Sequence, residues 1–131
     1  MMSFTAAVQA FGTATLVKID KVRRASALEV FTLVIMGTPV DTGRLRGNWQ
    51  TSVNAPKTSR IERLDKAGSE AIAEALANLG SMTDVVYMVN SLPYVERIEY
   101  EGWSRQAPAG MVRVATAKWP RIVQEKAKAY L

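Results

Sequence analysis

The chain has 131 residues, of which 48% are hydrophobic and 22% charged, enough apolar material for one domain spanning residues 1–131 with a buried core. It contains no cysteine and no histidine, which excludes disulfides, the usual zinc clusters, thiol nucleophiles and any imidazole-based triad. The net charge of +5 is unevenly spread: residues 1–66 carry ten Lys/Arg against five Asp/Glu, residues 67–101 one against six, and residues 102–131 six against one.

Residues 1–10 contain no lysine or arginine, and the strongest apolar run, Ala27 to Met36, is interrupted by Glu29 and Thr32. Neither a secretory signal nor a membrane-spanning segment fits that pattern, so the expectation is an intracellular protein with no membrane partner. No proline occurs before Pro39, and the spacing predicts a helix from about Phe4 to Met36. Its middle is amphipathic, with Leu16, Ile19, Val22 and Ser26 opposite Lys18, Lys21 and Arg24. From Leu28 to Met36 it is apolar all round, a surface to be covered by the monomer's own core or by a second subunit.

Gly37 is placed to end this helix in a left-handed cap, and Pro39 prevents its continuation. In the corner that follows, Asp41 and Thr42 have side chains suited to bonding nearby amides, and Gly43 tolerates positive φ. Leu45 to Asn54 reads as a strand with Trp49, Thr51 and Val53 on one face, and residues 55–68 as an exposed polar loop or hairpin tip. Ser69 is the expected cap of a helix from Glu70 to Leu79 carrying an Ile72, Leu76, Leu79 stripe and closed by Gly80. Asp84 to Asn90 is apolar enough to be a central strand. Pro93 opens a short helix stopped by Gly102, and Pro108 opens a last helix that Pro120 kinks or splits near Trp119. That helix turns Met111, Val112, Ala115, Trp119, Ile122 and Val123 to the core, although the β-branched run from Met111 to Thr116 is compatible with a strand. The expected fold class is α+β: a small, mostly antiparallel sheet against a long N-terminal helix and a kinked C-terminal one.

The one motif with potential chemistry is Asp41-Thr42-Gly43, the triplet of dimeric aspartic proteases. In those enzymes the triplet ends an apolar strand and is followed by a small residue. Here a helix precedes it and Arg44 and Arg46 follow, and two guanidinium groups oppose the single shared proton of a carboxylate dyad. The favoured reading is a structural corner, with Arg44 and Arg46 facing water or an acidic neighbour; the protease using Asp41 is the alternative. Glu96 and Glu99 share a helix face but lack further oxygen ligands for a cation, and are read as solvated surface with Arg97 as a local charge partner. No cofactor or metal is implied. Tyr87, Tyr94, Tyr100 and Trp103 suit core and interface packing better than a base-stacking platform. A basic nucleic-acid-binding module is a third option, without an identifiable reading element or sequence specificity. The alternation of charge suits docking against charged neighbours, including copies of the same chain, or faces closed within one subunit.

"TPVDTGRLRGNW" from Thr38 and "VNSLPYVERIEYEGWSRQAPAGMV" from Val89, in that order, resemble the small neck and tail-completion proteins of long-tailed bacteriophages, a family of minor tail components. The resemblance covers residues 38 to about 119. Its motif positions fall on Pro39, Asp41, Thr42 and Gly43 in the first corner, and on Asn90, Pro93, Tyr94, Glu99 and Gly102 in the second. Glu101, between the Glu99-Tyr100 pair and Gly102, is an insertion relative to the family pattern. What the resemblance implies is a structural virion protein without catalysis, assembled in the host cytoplasm and resident in the tail or neck. It would act as a homo-oligomeric ring in contact with other tail or head–tail connector proteins, its motif residues shaping the two places where sheet and helices meet.

Overall fold

The computed structural model describes residues 3–131. The proline-free start forms one helix, α1 (Phe4–Met36), whose 33 residues extend about 50 Å. Ser3 caps it, its hydroxyl accepting from the Ala6 amide at 3.1 Å. The C-terminal half is a core element: Val22, Ser26, Val30, Val34 and Ile35 are buried, mostly by contacts within the chain. Helix α6 (Trp119–Tyr130) lies along it, with α3 (Ser69–Ala77) and α5 (Val112–Thr116) also packed against it. The apolar circumference that left a choice between monomer core and second subunit is therefore covered largely by the monomer. The N-terminal half is bare instead: Phe4, Val8, Phe11, Leu16, Val17 and Ile19 are all exposed. Gly37 ends the helix with φ −77°, in the right-handed region, so the stop comes from Pro39 and not from a left-handed cap.

Gly43, at φ +89°, starts a one-turn helix α2 (Arg44–Gly47), and only then does strand β1 (Gln50–Val53) begin. The expected strand from Leu45 is thus shortened, because Leu45 is needed in the core on α2 while the following segment crosses over Gly47. β1 pairs antiparallel with β2 (Val86–Val89), in the register Gln50 to Val89 and Val53 to Val86. This pair is the whole sheet among the described residues. β2 is consequently an edge strand, half-buried throughout, and not the central strand its apolar run suggested.

On the other side of β1, α3 substitutes for a third strand. Glu74 Oε1 accepts from the Thr51 amide at 2.9 Å, and Asn78 Nδ2 donates to the Thr51 carbonyl at 3.1 Å. Side chains thereby satisfy backbone groups that an open edge would leave to water or aggregation. α3 begins one residue before expectation and is capped differently: Gly68 holds the N-cap at φ +78°, and the buried Asp65 carboxylate accepts from the Ala71 amide at 2.9 Å. Its buried stripe is Ala71, Ala75 and Leu79, while Leu76 is 54% exposed. Small residues face inward there because α3 lies close on α1 and β1.

Residues 55–68 are a strap more than a loose tip. Arg63 donates from Nε to the Gly47 carbonyl at 2.7 Å, from one terminal nitrogen to the Trp49 carbonyl at 2.8 Å, and from the other to Glu74 Oε2 at 2.8 Å. One planar fork thus joins α2, the residue that leads into β1, and α3. At the C-terminus the chain divides into α5 and α6, meeting around residues 117–118, with Pro120 in the first turn of α6, where a missing amide costs nothing. The break foreseen near Trp119 is present, whereas Pro108 lies in the loop before α5. The run from Met111 to Thr116 is helical rather than extended, and Trp119 is 41% exposed. The architecture is α+β, with the core centred on Val34, Ile35, Leu45, Trp49, Ile98, Met111 and Ile122.

Candidate functional site

The two motif corners, some fifty residues apart in the chain, meet in space. Thr38 begins the first: its hydroxyl donates to the Val34 carbonyl at 2.6 Å and accepts from Trp49 Nε1 at 2.7 Å, fixing the direction in which the chain leaves α1. Arg46 then reaches back to the carbonyls of Met36, Thr38 and Lys66 at 3.1, 2.8 and 2.8 Å. This corrects the expectation of a guanidinium turned to water or to an acidic neighbour, since a cation at the C-terminal end of α1 meets carbonyls that the helix leaves unpaired. Arg44 does pair with an acid, Glu62 at 2.7 Å, and both are exposed, so the pair contributes little.

Within the triplet, Thr42 Oγ1 accepts from the Arg44 amide at 3.2 Å, as expected of a turn residue. Asp41 is exposed, between helices rather than at the end of a strand. Gly43 is required twice over. Its φ lies in the left-handed region, and a Cβ would fall 2.6 Å from the Lys66 nitrogen and 2.9 Å from that of Asp65, where the strap crosses and the Asp65 amide donates to the Gly43 carbonyl at 3.0 Å.

The second corner is fastened to the first by Asn90, whose amide donates to the Leu45 carbonyl at 2.9 Å while its oxygen accepts from the Leu92 amide at 3.2 Å. Pro93 lies in the turn before helix α4 (Val95–Tyr100), Tyr94 is its N-cap residue, and Gly102 leaves it at φ +64°. Gln106, to which the sequence drew no attention, completes the junction. Its side-chain amide accepts from the Val40 N–H at 2.9 Å and donates to the Val40 carbonyl at 3.2 Å. Between the corners opens a cleft of about 300 Å³ lined by Pro39, Asp41, Thr42, Gly43, Arg44 and Tyr94 from the motifs and by Leu45, Ile98 and Gln106 around them.

Glu99 is brought elsewhere. It is buried, not solvated, and receives the N-terminus of α5: Oε1 accepts from the amides of Met111 at 2.9 Å and Val112 at 2.7 Å, and Oε2 from the Arg113 amide and Nε, each at 3.1 Å. An Arg113 terminal nitrogen also donates to the Glu99 carbonyl. Burial raises the carboxyl pKa, and the Val112, Met111 and Arg113 amides with the Arg113 side chain more than offset it, leaving Glu99 below its ordinary value. The acid is a helix cap supplied from twelve residues upstream, a distance at which no local spacing announces it. Around its outer side Arg113 stacks over Tyr100 and Arg97 over Trp103, with 4.8 and 4.4 Å to the ring centroids. Tyr100 and Trp103 are 67% and 59% exposed, so these aromatics present a surface more than they fill a core.

Comparison with known proteins finds no family model, no curated protein and no solved structure that matches this chain. No helix of the described residues is long and apolar enough to cross a membrane.

Proposed function

We propose that this chain is a structural protein of a tailed-phage or prophage virion, one that completes the head-proximal end of the tail or joins tail to head through ring-type protein–protein assembly. The observation that supports this reading most is the meeting of the two motif stretches. Residues that resemble the tail-completion family in sequence, fifty positions apart, are tied to each other by the Asn90–Leu45 and Gln106–Val40 hydrogen bonds. Asp41 and Tyr94 line the cleft there and are exposed, as is Pro93 beside Tyr94, and the stacked Arg97–Trp103 and Arg113–Tyr100 pairs add a second exposed group around α4 and α5. Exposed aromatic and arginine side chains on a preorganised frame have the composition of a protein docking surface. The spacing of Asp41 from any strand end and its exposure give the carboxylate no buried loop of the kind a shared-proton dyad requires.

Deletion of the gene from the phage or prophage that encodes it tests the reading. The expected result is filled heads and unjoined or overgrown tails by negative-stain microscopy, with infectivity restored by adding purified protein. Normal virions from the deletion would remove it. Asp41→Asn protein should restore infectivity as well as the parent does, and complete failure of that variant with retained fold would favour carboxylate chemistry.

A further inference from the structure

One edge of the sheet is closed by the side chains of α3, and the other has no such closure. The Asn54 amide donates to the Val85 carbonyl at 2.6 Å, so Asn54 and Val85 are a hydrogen-bonded pair of the ladder. Two residues further on each time, so are Ser52 with Tyr87 and Gln50 with Val89. The residues between them turn their amides and carbonyls away from the opposite strand. On β1 Thr51 does so, and both its backbone groups are taken by Glu74 and Asn78. On β2 these residues are Val86 and Met88. Among the described residues no hydrogen bond reaches the outward amide or carbonyl of either, and β1 is the one element against which β2 packs closely. Residues 85–89 also lack the lysine, proline or bulge by which an open edge ordinarily refuses a further strand.

A pocket adjoins this edge. Met88 borders a space of about 190 Å³ whose other walls include Val30, Phe31 and Val34 of α1 and Val112 and Thr116 of α5. None of these residues is charged, so a side chain that enters is apolar. A strand laid along β2 places its residue opposite Met88 on the same face of the sheet, over this pocket. Backbone pairing on an edge, with a pocket for an alternate side chain, is the pattern of recognition by strand addition. The walls also select the kind of strand. A second copy's β2 brings its own α1 and α5 along that face, against the α5 already standing there, whereas a lone extended segment brings only its side chains.

We infer that the open edge of β2 is a strand-addition site for an extended, uncharged segment of a partner protein. The segment bonds the backbone of Val86 and Met88 and sets an aliphatic side chain, opposite Met88, into the pocket beside α5. The inference stands on the geometry of the sheet and goes beyond the tail role proposed above.

The probe is a synthetic peptide, acetyl-Lys-Thr-Val-Leu-Val-Thr-Lys-amide, whose leucine and threonines share one face and whose valines share the other. Titrated at millimolar concentration into the isotope-labelled chain, it is expected to shift the Val86 and Met88 amide resonances and to slow their hydrogen exchange. Methylating the backbone nitrogens of the leucine and the second threonine, which face the edge, should weaken binding about tenfold or more. Methylating those of the two valines, which face away, should not. Aspartate in place of the peptide's leucine should abolish binding. So should Thr116→Phe in the protein, which fills the pocket from an exposed position and leaves the circular dichroism unchanged. Equal weakening by either methylation, binding indifferent to the aspartate or to Thr116→Phe, or no shift at Val86 and Met88 would overturn the inference. Protection of these two amides that rises with protein concentration in the absence of peptide would overturn it as well, because a second copy would then hold the edge. The deletion experiment is separate: normal virions would remove the tail role and leave this site standing, and a peptide that does not bind would do the opposite.

Discussion

Replacing Glu99 by Gln isolates the charge of the buried cap from its shape. The carboxylate accepts three backbone amides and one guanidinium N–H, and the first two amides converge on Oε1. Glutamine keeps an acceptor for Met111 and Val112, but neutral bonds are about half as strong as charge-assisted ones, and its NH₂ faces the Arg113 donors with nothing to accept from them. A hydrogen bond to a charged group contributes about 1.5–3 kcal/mol, and Arg113, whose side chain is 52% exposed, recovers part of its loss in water. The expected net loss is about 2–3 kcal/mol, which for a chain of this size lowers Tm by about 6–12 °C. Urea unfolding followed by tryptophan fluorescence reads it as a lower midpoint at unchanged m-value, since Trp49 is buried in the core.

The pH dependence supplies the sign. Because the folded Glu99 titrates below its ordinary value, its contribution is fully present above the unfolded pKa of about 4.3 and is lost as pH falls through the lower folded value. The gap between parent and Glu99→Gln should therefore be largest at pH 7 and shrink below about pH 4. Carboxylates common to both proteins, including Asp84, which its bonds to the Asn54 amide and to Ser81 hold low, cancel in the comparison. A gap under about 0.5 kcal/mol at pH 7, or one unchanged between pH 7 and pH 3.5, would refute the capping argument.

Gly43→Ala should lose about 2–4 kcal/mol in the same assay, combining left-handed strain with a Cβ 2.6 Å from the Lys66 nitrogen; Gly12→Ala, where nothing lies within 4 Å, is the control and should not destabilise. Ser26→Ala should stabilise by about 0.5–1.5 kcal/mol, because its hydroxyl is buried without a partner and alanine is the better helix former; a loss of stability would mean that the hydroxyl is bonded after all.

What the chain determined by itself is local. The absence of proline to residue 38 and the apolar periodicity set α1, Pro39 and Pro120 mark places where a helix cannot run on unbroken, and Gly43 and Gly102 permit the positive φ that the chain uses there. These are properties of one residue's own torsions, so they survive translation from string to structure. The tertiary structure decided everything that depends on a partner distant in sequence. It made Leu45 helical to bury it, turned the Arg63 strap into a three-way clamp, drew Glu99 inward to cap α5, and closed the two corners on each other through Asn90 and Gln106. It also decided between the two covers open for the half of α1 that is apolar all round, packing α3, α5 and α6 of the same chain against it, and left the N-terminal half exposed. Periodicity tells which face of a helix is apolar, and only the elements packed against it tell which part of that face the fold covers.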